Sequence, residues 1–213
     1  MIEYLLFDLD NTLYPESSAM GPELTRRMNL YVAEYLGVSV EEAKRLRRSD
    51  MRTYGTTMRW LIQRHGLTDI NDYIDKIHPE DVTQLVTASA ELPRILDSIK
   101  IPKSILTNSP AAHAHRVLRH LGVEDRFEHV FDLSYSNYQG KPHKETYEQV
   151  LSAIGHPAPE VLFIDDIPDY LRPFDELGGK IVLVDEMGKR SAELEGRPSI
   201  RSLAELPALL ATI

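Results

Sequence analysis

The sequence predicts an α/β fold: a parallel sheet with helices on both faces, and an all-helical segment inserted after the first strand. Three observations predict it. Short apolar runs recur along the 213 residues, each closing on polar side chains: IEYLLFDLD (2–10), KSILTNS (103–109), HVFDLS (129–134), VLFIDD (161–166) and KIVLVD (180–185). Such runs, without strict alternation, suit strands buried on both faces. Segments with helical spacing separate the later runs, and strands alternating with helices imply βαβ units and a parallel sheet. Between about residues 16 and 88 no strand is evident.

The elements follow in order. The first run ends on Asp8 and Asp10. ELTRRMNLYVAEYLG, SVEEAKRLRRSDMRTYG and TTMRWLIQRHG then read as amphipathic helices closing on Gly37, Gly55 and Gly66, and DINDYIDKI (69–77) reads as a fourth. The expected division is a core of residues 1–14 and 89–213, with a helical cap over 15–88. After the second strand, AAHAHRVLRHLG sets Ala114, Val117, Leu118 and Leu121 at helical spacing and stops at Gly122. KPHKETYEQVLSAIG has Pro142 near its start, Tyr147, Val150, Leu151 and Ile154 on one stripe, and Gly155 as its stop. SLAELPALLAT reads as a last helix interrupted by Pro207.

Composition narrows the function classes. Hydrophobic residues make up 42% and charged residues 27%, the balance of a globular protein. A net charge of −9 argues against a nucleic-acid polymer or an anionic membrane as partner, yet a small phosphate fits a locally positive site. The absence of cysteine excludes disulfides, thiolate nucleophiles and cysteine-ligated zinc. No basic stretch precedes an apolar one at the N-terminus, and no apolar run approaches the ~18 residues that cross a bilayer. The expectation is a cytoplasmic monomer or homodimer acting on a small phosphorylated metabolite.

Four clusters close strands on one edge of the expected sheet, where open α/β folds bind ligands. They are Asp8 with Asp10, Thr107 with Asn108 and Ser109, Lys141, and the pair Asp165 and Asp166. Taken singly each is weak, since Asp, Asn and Ser populate turns and helix caps everywhere. Together they form an oxygen-only set suited to a hard cation such as Mg²⁺, with a lysine and a hydroxyl for phosphate charge. Asp8 can serve as nucleophile and Asp10 as acid and base; alternation along a strand sends both side chains to the same face. Of the eight histidines, His113 and His115 form an H-x-H that on a helix faces two ways, and both read as ordinary helix residues.

FDLDNTLYP, ILTNS, the lysine of GKPHKETYE and FIDD, in this order, resemble the four motifs of the haloacid dehalogenase (HAD) superfamily of hydrolases. The resemblance implies a Rossmann-like core with an inserted helical cap. It implies Asp8 as nucleophile and Asp10 as general acid and base. Mg²⁺ would be held by Asp8, the Asp10 carbonyl, Asp165 and Asp166, and phosphate by Thr107, Lys141 and backbone N–H groups near Asn11 and Asn108. True haloacid dehalogenases lack an acid two residues after the nucleophile, so Asp10 argues for phosphoester hydrolysis. DLDNTLYP, YGTT and KPHKETYE look most like the pyrimidine 5′-nucleotidase branch, which makes Tyr54 and Thr57 candidate substrate contacts and nucleoside 5′-monophosphates candidate substrates. A phosphatase or phosphomutase for sugar phosphates or phosphoglycolate is the alternative, and a binding module on the same fold a further one. The fourth motif departs from the family pattern: Tyr170 stands where an Asn or Asp is common, with Asp169 one residue early.

Overall fold

A computed structural model describes the backbone of residues 1–213 and all side chains except those of residues 51 and 52. The chain divides into two compact units, Met1–Ser18 with Val86–Ile213, and Ala19–Leu85. Residues 15–18 and 86–88, assigned above to the cap, thus belong with the first unit. Polar bonds tie them there: Glu16 to Arg190, Ser17 to Glu186, and the Val86 carbonyl to His120.

The first unit opens with β1 (Tyr4–Phe7), four fully buried residues. The second unit follows, with α1 (Met20–Leu36), α2 (Val40–Tyr54), α3 (Thr57–His65) and α4 (Ile70–Ile77). Its helix ends carry the local signals that the sequence offered. Gly37 and Gly66 adopt the left-handed conformation that ends α1 and α3, and the Thr56 and Asp69 side chains cap the N-termini of α3 and α4. Inside this unit Arg47 is buried enough to lower its pKa, and donates to Thr57 Oγ1 at 3.0 Å and to Asn29 Oδ1 at 2.5 Å.

The chain then returns through α5 (Glu91–Ser98), β2 (Lys103–Leu106), α6 (Ala111–His120), β3 (Val130–Phe131), α7 (Lys144–Ile154), β4 (Val161–Asp165), α8 (Pro168–Glu176), β5 (Lys180–Val184), β6 (Ser199–Ile200) and α9 (Leu206–Leu210). All six strands are parallel, in the order β3-β2-β1-β4-β5-β6. β1 sits centrally, with Phe7 opposite Ile105 of β2 on one side and Ile164 of β4 on the other. One face of the sheet packs on a cluster that includes Tyr147, Phe163 and Phe174, with ring centroids 5.5–5.9 Å apart.

The strands are shorter than the apolar runs, because most of the polar residues closing the runs already lie in the loops; Asp165, which ends β4, is the exception. α5, α8 and the two-residue β6 have no counterpart in the sequence reading; β6 is too short to leave a hydrophobic pattern. Pro207 lies in the first turn of α9, where it needs no N–H partner, so it starts that helix instead of interrupting one. Among the described residues no helix is long and apolar enough to cross a membrane.

Candidate active site

β1 ends at Phe7, and the next residue donates its backbone N–H to the Ile164 carbonyl at 2.8 Å. That bond carries the sheet register one step beyond the strand. It sets Asp8 beside Asp165, the last residue of β4. The carboxylate oxygens of Asp8, Asp165 and Asp166 approach within 4.8 Å of one another, and all three residues are buried.

Lys141 stands between two of them. Its Nζ donates to Asp8 Oδ1 at 2.7 Å and to Asp165 Oδ2 at 2.6 Å, with only 1% of the residue exposed. Burial alone would lower its pKa, but Asp165 and Asp8 outweigh burial and raise it, so the ammonium stays charged. The loop before it is tightly determined. Gly140 has φ +65°, and a Cβ there would lie 2.4 Å from Asn108 Oδ1 and 2.6 Å from Leu133 Cδ1. Asn108 accepts from the Lys141 N–H at 2.8 Å and donates to the Lys141 carbonyl at 2.9 Å. Thr107, 2% exposed, accepts the Ser109 N–H on its hydroxyl at 3.0 Å. Asn11 has φ +65°, which turns the chain sharply after Asp10.

Lys141 and Arg190 do not neutralise this cluster. Arg190 donates to Asp166 Oδ2 at 2.9 Å and to the Asp166 carbonyl at 3.0 Å, but shares its charge with Glu16 at 2.7 Å. Burial, and then the neighbouring carboxylates, push Asp8 and Asp165 up, and Asp166 to about 7. A buried excess of negative charge made only of oxygen donors is what a hard divalent cation relieves. The three aspartates therefore fit Mg²⁺.

Asp10 is not among the acids that Lys141 binds, yet it lies close enough to Asp8 for its charge to push the Asp8 carboxyl up. Strand alternation is not what sets its direction, because β1 has already ended and Asp10 sits in the turn that follows. Its Oδ1 accepts from Tyr14 Oη at 2.6 Å and contacts His113 Nε2 at 2.9 Å; its Oδ2 accepts from Ser109 Oγ at 2.5 Å. Burial would raise its pKa, but His113, Ser109 and Tyr14 together lower it.

Other expectations change as well. His113 is fully buried on α6, whereas His115 is half-exposed and pairs with Glu124, so the H-x-H faces two ways but only one member is ordinary. Tyr170 does not leave Lys141 unsupported. Its ring centroid lies 5.1 Å from Nζ, and that of Phe163 lies 5.3 Å away. Asp169 is exposed and pairs with Arg172. In the second unit Tyr54 closes α2 and is half-buried. Thr57 is buried with its hydroxyl on Arg47, so its work is to hold that unit's helices together, which corrects its reading as a substrate contact.

The model of haloacid dehalogenase-like hydrolases matches residues 2–171. The chain belongs to this family. Phosphate metabolism protein 8 of Saccharomyces cerevisiae is 28% identical over 151 residues, which cover 66% of the chain and 45% of that protein. The chain thus spans less than half the length of that relative. Among solved structures, the HAD-hydrolase YfnB from Bacillus subtilis bound to magnesium superposes with a TM-score of 0.67 at 20% identity, covering 99% of both chains. A HAD phosphatase from Thermococcus onnurineus gives 0.66 at 19% identity, covering 98% of both. A 2-haloacid dehalogenase from Pseudomonas syringae gives 0.65 at 21% identity, covering 100% of this chain and 99% of that one. At these identities the structural likeness speaks for the fold alone.

Proposed function

We propose that this hydrolase is a Mg²⁺-dependent phosphomonoesterase that works through an aspartyl-phosphate on Asp8. The observation that carries the reading is the separation of work between two carboxylates. Asp8 lies in the buried acid cluster against Lys141, whereas Asp10 is held on its own by Tyr14, Ser109 and His113. Halide departs without a proton, so a dehalogenase has no task for a separately held Asp10. An alkoxide leaving group needs one.

Asp8, Asp165, Asp166 and the Asp10 carbonyl would hold Mg²⁺, which when bound draws charge from the phosphoryl oxygens. Asp8 attacks phosphorus; the bond to the leaving oxygen breaks, and that oxygen takes a proton from Asp10. A dianionic phosphoryl group arriving beside Asp10 raises its proton affinity, which loads it for this step. Water then attacks the aspartyl-phosphate and gives its proton to Asp10. Phosphate leaves and Asp8 is restored. Lys141 keeps its charge throughout and offsets the charge gathering on the phosphoryl oxygens, and the Thr107 hydroxyl is available to donate to one of them.

The substrate class follows the resemblance of DLDNTLYP, YGTT and KPHKETYE: nucleoside 5′-monophosphates, pyrimidine ones preferred. The name of the yeast relative is consistent with phosphate-ester chemistry. A phosphate-release screen with Mg²⁺, over nucleoside monophosphates, sugar phosphates and phosphoglycolate, tests both levels. Release from nucleotides above all others supports the full reading. Release only from sugar phosphates or phosphoglycolate keeps the chemistry and overturns the substrate. An isomerised sugar phosphate without free phosphate points to a mutase, and ligand binding without turnover to a binding module. Tyr54→Ala should lower kcat/KM for the preferred nucleotide more than for p-nitrophenyl phosphate, whose leaving group needs little recognition.

A further inference from the structure

His113 is a buried imidazole that no motif accounts for. It lies on α6, 0% exposed, with Nε2 2.9 Å from Asp10 Oδ1. Two more donors converge on the same carboxylate from different segments. Tyr14 reaches Oδ1 at 2.6 Å from the loop after β1, and Ser109 reaches Oδ2 at 2.5 Å from the loop after β2. Asp10 follows directly on β1 in a turn, and its neighbour Asn11 has φ +65°. A carboxylate on a tight turn has rotamer freedom that the backbone does not remove. Three donors from three directions remove it.

The arrangement is specific to Asp10. Asp8, two residues away, takes Lys141 and Thr12 and none of these three groups. His113 and Ser109 are carried by the segment that runs from β2 into α6, the same segment that presents Thr107. That segment therefore serves the phosphoryl group through Thr107 and, two and six residues later, the acid–base carboxylate.

We infer that His113, together with Tyr14 and Ser109, is a positioning residue that holds the Asp10 carboxyl where it meets the leaving oxygen. The inference rests on the proposed phosphatase chemistry. Its consequence is a dependence on leaving group. An ester whose leaving oxygen departs readily without a proton loses little when Asp10 wanders. An ester with a more basic leaving oxygen loses much, because proton donation is then a large part of the barrier.

The test compares phenyl phosphate with p-nitrophenyl phosphate, which differ mainly in leaving-group basicity, on wild type, His113→Ala, His113→Gln and Tyr14→Phe. Glutamine keeps an N–H donor at a reach similar to that of Nε2. His113→Ala is expected to lower kcat/KM on phenyl phosphate by about 10²-fold, within the range of general acid–base catalysis, and on p-nitrophenyl phosphate by only about threefold. His113→Gln should recover part of the difference. Tyr14→Phe, which removes only a hydroxyl, should repeat the split more weakly and keeps the inference testable if His113→Ala fails to fold. Calorimetric titration with MgCl₂ should give unchanged affinity, since the Asp10 side chain is not among the ligands. Equal losses on both esters, an unchanged ratio in Tyr14→Phe, or loss of Mg²⁺ binding would each overturn the positioning role while leaving the phosphatase reading intact. Wild-type protein that releases phosphate from neither ester would overturn that reading itself, and the role of His113 with it.

Discussion

Asn108 grips both backbone polar groups of Lys141: its amide oxygen accepts from the Lys141 N–H at 2.8 Å, and its amide nitrogen donates to the Lys141 carbonyl at 2.9 Å. The residue that precedes the lysine cannot carry a side chain, since a Cβ on Gly140 would collide with that same amide. Gly140→Ala combines a left-handed backbone with this collision, and strain of that kind costs about 1–3 kcal/mol. The expected result is a lower melting temperature and a larger fall in kcat than in KM, because the shifted Lys141 still meets substrate but no longer matches the charge of the transition state. Melting curves and steady-state kinetics on the one variant check both halves. A variant as stable and as active as wild type would show that the loop tolerates a Cβ by moving.

Asp8→Asn should keep the fold and abolish phosphate release. The amide attacks phosphorus poorly and is a weaker metal ligand. Residual activity within tenfold of wild type, about 1.4 kcal/mol in barrier, would rule out the covalent route. Asp10→Asn should also stop turnover, yet leave Mg²⁺ affinity nearly intact.

Metal exchange gives a third expectation. Chelation with EDTA should remove activity, Mg²⁺ should restore it, and Ca²⁺ should do so poorly, because Ca²⁺ takes more ligands in looser geometry. Mg²⁺ at a hundredfold excess over its dissociation constant should add about 2.7 kcal/mol of stability, readable as a rise in melting temperature. Full activity in excess EDTA would remove Asp165 and Asp166 from the chemistry.

Arg190 supplies a fourth. It is the second cation beside the acid cluster, and Asp185 shapes its loop by accepting the backbone N–H groups of Lys189, Arg190 and Ser191. Arg190→Met leaves the nearly buried Asp166 without its partner, and breaking such a pair costs about 3–5 kcal/mol when burial is complete. The metal-free variant should melt well below wild type, and Mg²⁺ should stabilise it by more than it stabilises wild type, since the ion then offsets repulsion that Arg190 had offset. An equal or smaller gain with Mg²⁺ would mean that Arg190 and the ion do not act on the same charge.

What the sequence disclosed, and what it hid, follows from distance along the chain. Asp8, Thr107, Lys141, Asp165 and Asp166 were legible because each interrupts an apolar run or sits in a short polar cluster, and a charge at the end of a buried strand needs an explanation. His113 was not. Its partner is 103 residues away, and a histidine on an amphipathic helix carries no local mark of what it faces. Arg190 was hidden for the same reason, in a loop whose composition is that of any turn. Thr57 misled in the opposite direction. Threonines near a helix start suggest a cap or an exposed hydroxyl, and Thr56 does cap α3, but the next residue turns inward to the half-buried Arg47. Tyr170 reads as a defect only if the lysine needs a carboxylate or amide nearby; the ring face offers an electrostatic substitute.

The central place of β1 sets the order in which the site can come into being. Its neighbours on the two sides are β2 and β4, and the register that sets Asp8 beside Asp165 is made by the second of these pairings. A ribosome would therefore have to deliver about 160 residues after the nucleophile before the carboxylates could meet. Until then no cation site exists to recruit Mg²⁺, and Lys141 has only one of its two acids. Shortened forms lacking β4 would carry most of the recognisable signature without the assembled acid cluster, so the proposed phosphatase activity should switch on once, late, and as a whole.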